Sequence, residues 1–303
     1  MLLRQRGPSL VVDTPAKLNL FLEILAKRSD GFHELETLMV SVGIYDTLTF
    51  TEDDSDRIRL RQVPAGPSAI TLGTACEEIP SGVDNLIVRA AELLRDHAGI
   101  GRGICIDLRK RIPVSAGLAG GSSNAAATLW ALNRFWNLGL SAAQLGELAS
   151  QLGSDVNFFL CGAEAAVCHG RGEIVSPLSL PASLHFVVVR PQSGLATATV
   201  FRHCHPSAAR RDVRPLIESL REGRLGRAAG SLYNALQTTA EQLSFDVVTL
   251  KDRFSQLPVL GHLMSGSGTA YFGLCANKCH AQLVAARLRA MRLGTVFVAQ
   301  SGP

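Results

Sequence analysis

From Lys17 onward, the stretch 11–24 (VVDTPAKLNLFLEI) alternates in the period of a β-strand. Leu18, Leu20, Leu22 and Ile24 share one face, and Lys17, Asn19, Phe21 and Glu23 share the other. A lysine and an asparagine on one strand face either have a reason to point inward or simply face solvent. Two further strand-like segments cover 36–42 and 47–51, after a loop with an Asp-Gly turn signal at 30–31. The stretch 52–82 is polar and weakly patterned. Helical spacing then appears at 85–97, a strand at 103–108, and helical spacing again at 125–136. Ser141 is placed to cap a helix over 142–152 that Gly153 stops. A strand pair over 165–175 breaks near Gly170–Gly172, and LHFVVVR at 184–190 reads as a strong strand. Helices are predicted near 212–222, 225–239 and 244–256. A strand–glycine turn–strand follows in LMSGSGTAYFGL, then a helix over 279–291 and a last strand, TVFVAQS. Strands arrive in adjacent groups, which predicts an α+β fold with antiparallel sheets.

Length and composition narrow the class. The chain has 303 residues, 47% hydrophobic and 18% charged, the balance of a globular protein of about two domains. We place the division at 1–176 and 177–303. The net charge of +4 comes with no Lys/Arg block of the kind that nucleic-acid arms carry. The densest basic run is Arg109-Lys110-Arg111, either a solvated strand end or added positive potential beside an anion. Seven cysteines without CxxC pairing, and no leader-like start, predict a reduced cytoplasmic protein. No apolar run approaches the ~20 residues that span a bilayer. His203-Cys204-His205 lacks a second ligand cluster and reads as a loop, and Cys275 and Cys279 read as buried small side chains.

The most informative segment is PVSAGLAGGSSNAAA at 113–127, a small-residue loop that runs into a helix N-terminus. Such a loop lets backbone N–H groups approach an anion, and the helix end adds its positive dipole. A nucleotide phosphate is the natural guest, although the wording is neither Walker A nor GxGxxG. The bland reading is a tight strand-to-helix connection. Asp155, between Ser154 and an apolar run, is either a turn residue or a positioned base. Lys17 reads from periodicity alone as a surface strand lysine, and His33 as a loop histidine with no ligand. Trp130 and Trp136 read as helix-packing residues, and Glu23 and Glu36 as solvated carboxylates.

PAKLNLFLEILAKRSDGFHELETLM, PVSAGLAGGSSNAAA, GSDVNFFL and LMSGSGTAYF together resemble the GHMP small-molecule kinases, from about Pro15 to beyond Phe272. The resemblance implies an N-terminal nucleotide-binding domain, a C-terminal substrate domain and a cleft between them. It implies transfer of the ATP γ-phosphoryl group, with Mg²⁺, to the 2-hydroxyl of a methylerythritol unit carried on cytidine diphosphate, in non-mevalonate isoprenoid synthesis. Lys17 and Asp155 match the family's catalytic pair. Pro113, Val114, Ser115, Ala116, Gly117, Leu118, Ala119, Gly120, Gly121, Ser122 and Ser123 match its ATP loop, and the resemblance implies Ser123 as a magnesium ligand. Asn19, Phe32, His33, Gly266, Ser267 and Gly268 match substrate-binding positions, Phe32 and His33 being suited to a cytosine ring. A kinase for another small alcohol, of homoserine or mevalonate type, and a non-catalytic nucleotide- or RNA-binding protein remain as alternatives. Four departures stand out. Ala119 replaces a frequent Gly and needs a negative φ. Asn124 replaces a frequent Asp, and Asn157 a frequent Pro. Asn234-Ala235-Leu236-Gln237 is a weakened Asn-Asp-Leu-Glu segment, which puts a catalytic or metal role there in doubt.

Overall fold

The computed structural model describes residues 1–64, 79–206 and 209–302, so part of the weakly patterned stretch lies outside the described residues. Strands β1 (Leu2–Arg6), β2 (Ser9–Lys27), β3 (His33–Asp53), β4 (Ile58–Gln62) and β5 (Gly103–Arg109) lie in the order β1-β2-β3-β5-β4. Strand β6 (Ala165–His169) pairs with β3, and β7 (Ile174–Leu178) with β6. The expected division at 176/177 falls inside β7. A second sheet runs β10-β11-β8-β12, from β8 (His185–Arg190), β10 (Gly261–Met264), β11 (Tyr271–Cys275) and β12 (Thr295–Gln300). The short β9 (Tyr233–Asn234) pairs in parallel with β2 and divides the helix expected over 225–239. The result is α+β with antiparallel pairing throughout the second sheet.

The segments 36–42 and 47–51 are one strand, because β3 stays paired to β2 through Tyr45 and Asp46. The β2–β3 register shifts at Pro15/Ala16, Asn19/Phe21 and Ile24/Ala26. A bulge inserts a residue and reverses which face follows. Strict alternation therefore fails after Asn19. Phe21 joins Leu18 and Leu20 in one core, while Leu22 and Ile24 enter another. Glu23 is not solvated, as periodicity suggested. It is fully buried and accepts hydrogen bonds from the Ile24 and Arg211 amides at 2.9 and 2.8 Å.

Helices α1 (Leu86–Ala98), α2 (Gly120–Phe135), α3 (Ala142–Leu152) and α4 (Val156–Leu160) pack on the first sheet around one apolar core. Asn85 caps α1, and Ser141 caps α3 in a reciprocal capping box with Gln144. The second half adds α5 (Thr197–His203), α6 (Arg214–Arg221), α7 (Leu225–Ala229), α8 (Gln237–Leu243), α9 (Phe245–Ser255) and α10 (Lys278–Ala290). Cys275 is buried as expected, but Cys279 is exposed at the start of α10. No described helix is long and apolar enough to cross a membrane.

Candidate active site

The segment 113–123 is a concave backbone loop. Ser115, Gly117 and Ala119 have φ of 51°, 73° and 54°, so every second residue is left-handed. Alternating handedness turns successive N–H groups toward one side and makes an anion-binding nest. The loop enters α2, whose N-cap, Ala119, supplies no side-chain cap. The first-turn amides are thus left for a ligand, at the positive end of a 16-residue helix. Two glycines here are steric necessities. A Cβ on Gly117 would lie 2.1 Å from the Ser265 carbonyl oxygen, and one on Gly120 would lie 2.9 Å from Ile112 Cγ2. Ala119 does not have the negative φ that would make its methyl group free of strain.

A buried carboxylate holds the loop from beneath. Asp46, fully buried on β3, accepts from the Arg111 and Ile112 amides at 2.7 and 2.8 Å. It also accepts from Lys110 Nζ at 2.7 Å and from Asn124 Nδ2 at 3.0 Å. Asn124 Oδ1 accepts from Thr14 at 2.7 Å. Asn124 therefore points into this network. An aspartate there would set a second carboxylate against Asp46. Lys110 borders the cleft, but its ammonium is already committed to Asp46.

Lys17 stands at the centre, between the bulges of β2, with its side chain 4% exposed. Its Nζ donates to Asn19 Oδ1 and lies 3.7 Å from Asp155 Oδ2. Its backbone amide donates to the Leu118 carbonyl at 3.1 Å, tying strand to loop. Burial pushes the ammonium pKa below the ordinary 10.5, against the pull of the Asp155 carboxylate. Asp155 precedes α4 but makes no side-chain cap bond, so its carboxylate faces the cleft. Asn19 Nδ2 donates to Thr37 Oγ1 at 2.9 Å, which fixes the amide's orientation. The Gly266 turn closes over this pair. A Cβ on Gly266, at φ 55°, would meet Lys17 Nζ at 3.0 Å. Asn234 steadies the turn by donating from Nδ2 to the Met264 and Gly266 carbonyls, each at 2.8 Å.

These groups border one cleft of about 900 Å³. At one end lie the phosphate loop, Ile79, Asn85 and Leu86; at the other lie Lys27, Phe32, His33 and Phe201. Lys17, Asn19 and Asp155 lie on its wall, as do Gly266 and Ser267, but Gly268 packs away from it against Met264. All of 113–123 borders it except Leu118 and Ser123. Phe32 is 50% exposed, and the Arg171 guanidinium lies 4.7 Å above its ring. His33 is buried 5.5 Å from the Phe201 ring, and burial together with Lys27 lowers its pKa from 6.5, leaving a neutral imidazole at pH 7. Phe201, Arg171 and Thr197 went unnoticed in the sequence. The flanking glycines of Gly170-Arg171-Gly172 were its one legible signal, read only as a strand break.

Ser123 does not suit the metal expected of it. It is fully buried in α2, and its Oγ has no partner and faces no cleft. Ser122 borders the cleft instead, near Gly153. No group of three His, Cys, Asp or Glu side chains among the described residues is arranged to hold a metal ion.

Comparison with known proteins identifies the family. Residues 85–163 match the GHMP kinases N terminal domain, and residues 213–292 match GHMP kinases C terminal. The 4-diphosphocytidyl-2-C-methyl-D-erythritol kinase of Pelotomaculum thermopropionicum is 41% identical over 276 residues, 90% of this chain and 92% of that protein. The enzyme of the same name from Alkaliphilus metalliredigens is 39% identical over 266 residues, 86% of each chain. A crystal structure of 4-(cytidine 5'-diphospho)-2C-methyl-D-erythritol kinase superposes with a TM-score of 0.79 at 35% identity, covering 97% of this chain and 100% of that one. On these matches the chain belongs to the 4-diphosphocytidyl-2-C-methyl-D-erythritol kinase family of the GHMP kinases.

Proposed function

We propose that the protein transfers the γ-phosphoryl group of ATP to the 2-hydroxyl of 4-diphosphocytidyl-2-C-methyl-D-erythritol, with Lys17 and Asp155 at the reacting centre. One observation carries the assignment of roles. The Lys17–Asp155 pair borders the same cleft as the phosphate loop and Phe32–His33, with Lys17 beside the Gly117–Gly266 contact and Asp155 beside the Gly172 turn whose Arg171 lies over Phe32. ATP seated with its phosphates on the loop amides presents its γ-phosphorus toward that pair. The substrate hydroxyl attacks the γ-phosphorus, the bond to the β,γ-bridging oxygen breaks, and ADP leaves.

Phosphoryl transfer passes through a loose transition state, so alignment and charge matter more than base strength. Asp155 orients the hydroxyl and accepts its proton as the new O–P bond forms. Lys17 places a desolvated positive charge where negative charge spreads over the transferring group, and such a charge acts more strongly in a water-poor site. Asn19 and Thr37 hold the Lys17 ammonium in one position. Phe32 offers a half-exposed ring face to a cytosine, and neutral His33 offers one donor and one acceptor. Both halves of the chain, which we divide at 176/177, build the base-binding end, since the Phe201 ring lies 5.5 Å from His33. Magnesium is the usual companion of ATP and would neutralise charge on its phosphate oxygens. All six described cysteines are free thiols, which suits a cytoplasmic enzyme.

The test is ATP-dependent phosphorylation of 4-diphosphocytidyl-2-C-methyl-D-erythritol, with homoserine and mevalonate in parallel. Turnover of the cytidyl substrate alone is the expected result. Turnover of another alcohol in its place would overturn the substrate reading and leave the phosphoryl-transfer geometry standing.

A further inference from the structure

We propose that Arg171 is a substrate-binding residue that holds the diphosphate of the nucleoside-diphosphate-linked substrate and so sets preference for CDP-linked over uncharged cytidyl compounds. The inference rests on the cytidyl reading of the Phe32–His33 end. Three observations carry it.

The first is place. Arg171 sits in the turn between β6 and β7, flanked by Gly170 and Gly172 at φ of 72° and 118°. A Cβ on Gly172 would lie 3.8 Å from Asp155 Oδ1, so this turn adjoins the reacting centre. The Arg171 guanidinium itself lies 4.7 Å above the Phe32 ring. One residue thus spans from the neighbourhood of the proton acceptor to the base-binding aromatic. In a nucleoside diphosphate linked to an alcohol, the diphosphate lies between those same two points.

The second is rigidity. Leu35 N donates to the Gly170 carbonyl at 2.8 Å, and Arg171 N donates to Glu173 Oε2 at 2.6 Å. The turn is therefore anchored both to β3 and to its own hairpin. The contact with the Phe32 ring restrains the guanidinium, which lowers the entropy lost when the fork closes on an anion.

The third is charge. Nε lies 3.7 Å from Glu173 Oε1, and Nη2 donates to the Ser150 carbonyl at a long 3.4 Å. These contacts leave further hydrogens of the guanidinium to a ligand. Lys27 and Arg202 border the same end of the cleft, so the surroundings favour a dianion. Asp30, the carboxylate on the Phe32 loop, has its pKa lowered mainly through the Phe32 backbone N–H, then through its ion pair with Arg28, and least through Arg171. A guanidinium engaging a diphosphate does so through charge-assisted, often bidentate hydrogen bonds, geometry a lysine does not reproduce.

The experiment measures calorimetric affinities of CDP and of cytidine for wild type, R171A and R171K. A saturating non-hydrolysable ATP analogue fills the phosphate-loop end. In wild type, CDP is expected to bind more tightly than cytidine. In R171A, CDP affinity is expected to fall about tenfold or more while cytidine affinity stays within about twofold. R171K is expected to recover part of the CDP affinity, and thermal unfolding of each variant separates this effect from misfolding. Equal weakening of CDP and cytidine in R171A would overturn the proposal, since it would assign Arg171 to the Phe32 ring alone. An unchanged CDP affinity in R171A would also overturn it and leave the cytidyl reading intact. A wild-type protein that bound neither compound would overturn the cytidyl reading first, and this assignment with it.

Discussion

Gly117 and Ser265, 148 residues apart, are packed so closely that a Cβ on the glycine would lie 2.1 Å from the serine carbonyl oxygen. Ser265 Oγ in turn donates to the Gly117 carbonyl at 3.1 Å. The phosphate loop and the Gly266 turn are thereby one mechanical unit, although they come from different halves of the chain. G117A is expected to lose at least about 100-fold in kcat/KM, because a methyl group forces apart two backbones that frame one transition state. It also pays about 1–2 kcal/mol for a left-handed alanine. Steady-state kinetics and a thermal melt on the same preparation check this. A variant with wild-type kcat/KM would show that the loop does not need this contact.

Two residues further on, the same argument changes sign. Ala119 already carries the left-handed cost, at φ 54°. Glycine removes about 1–2 kcal/mol of that cost, loses about 0.4–1 kcal/mol through unfolded-state entropy, and forfeits a partly buried methyl. A119G is therefore expected to be more stable than wild type by about 0.5 kcal/mol, with kcat within about twofold. Denaturant unfolding decides it. A lower midpoint would mean that the methyl's packing outweighs the backbone strain.

Lys17 and Asp155 yield paired expectations. D155N is expected to lose about 10²–10⁴-fold in kcat with little change in nucleotide affinity, as removal of a group acting in the transition state should. Lys17 adds a pH signature. Its pKa lies below the ordinary 10.5 because burial disfavours the ammonium. As pH rises through the lowered value the charge is lost, so kcat is expected to fall on an alkaline limb that begins below 10.5. Stability moves the other way. Between the lowered pKa and 10.5 the unfolded chain holds the Lys17 proton and the folded one does not, so this lysine's contribution to stability rises with pH across that window. K17M removes both effects. Wild-type unfolding curves that gain nothing relative to K17M over that range would contradict the depressed pKa.

Much of this architecture was legible in the chain because its signals are local. The Ser141 cap, the Gly153 stop and the glycine turn between β10 and β11 are each decided within a few residues. The bulges of β2 were not legible, since a register shift depends on the partner strand. That is why Phe21 and Leu22 exchange faces and why Glu23 is buried. The candidate site divides the same way. The phosphate loop announces itself by composition, and Lys17 and Asp155 were named from motifs 138 residues apart in sequence, but their 3.7 Å approach was not derivable from spacing. Asp46 and Phe201 carry no pattern of their own, and Arg171 only its flanking glycines. Each acquires its place through a contact made across elements.

Asn234 shows how a residue from a weakened motif still shapes the site. It is buried, its Nδ2 donates to the Met264 and Gly266 carbonyls at 2.8 Å, and its Oδ1 accepts from Leu236 N at 2.9 Å. N234A leaves two carbonyls and one amide without their partner in the interior, at a cost of about 2–3 kcal/mol. N234D keeps the acceptor for Leu236 but turns a carboxylate oxygen toward two carbonyl oxygens, so it is expected to be at least as damaging. Both variants free the Gly266 turn that lies over Lys17 and Asn19. Because the turn is locked to the phosphate loop through Gly117 and Ser265, the activity loss is expected first in kcat, with a smaller rise in KM for ATP. Comparing kcat and KM for ATP in N234A, at a temperature where the variant stays folded, checks the assignment. A rise in KM for ATP with kcat unchanged would place Asn234 with nucleotide binding rather than with the alignment of the reacting groups.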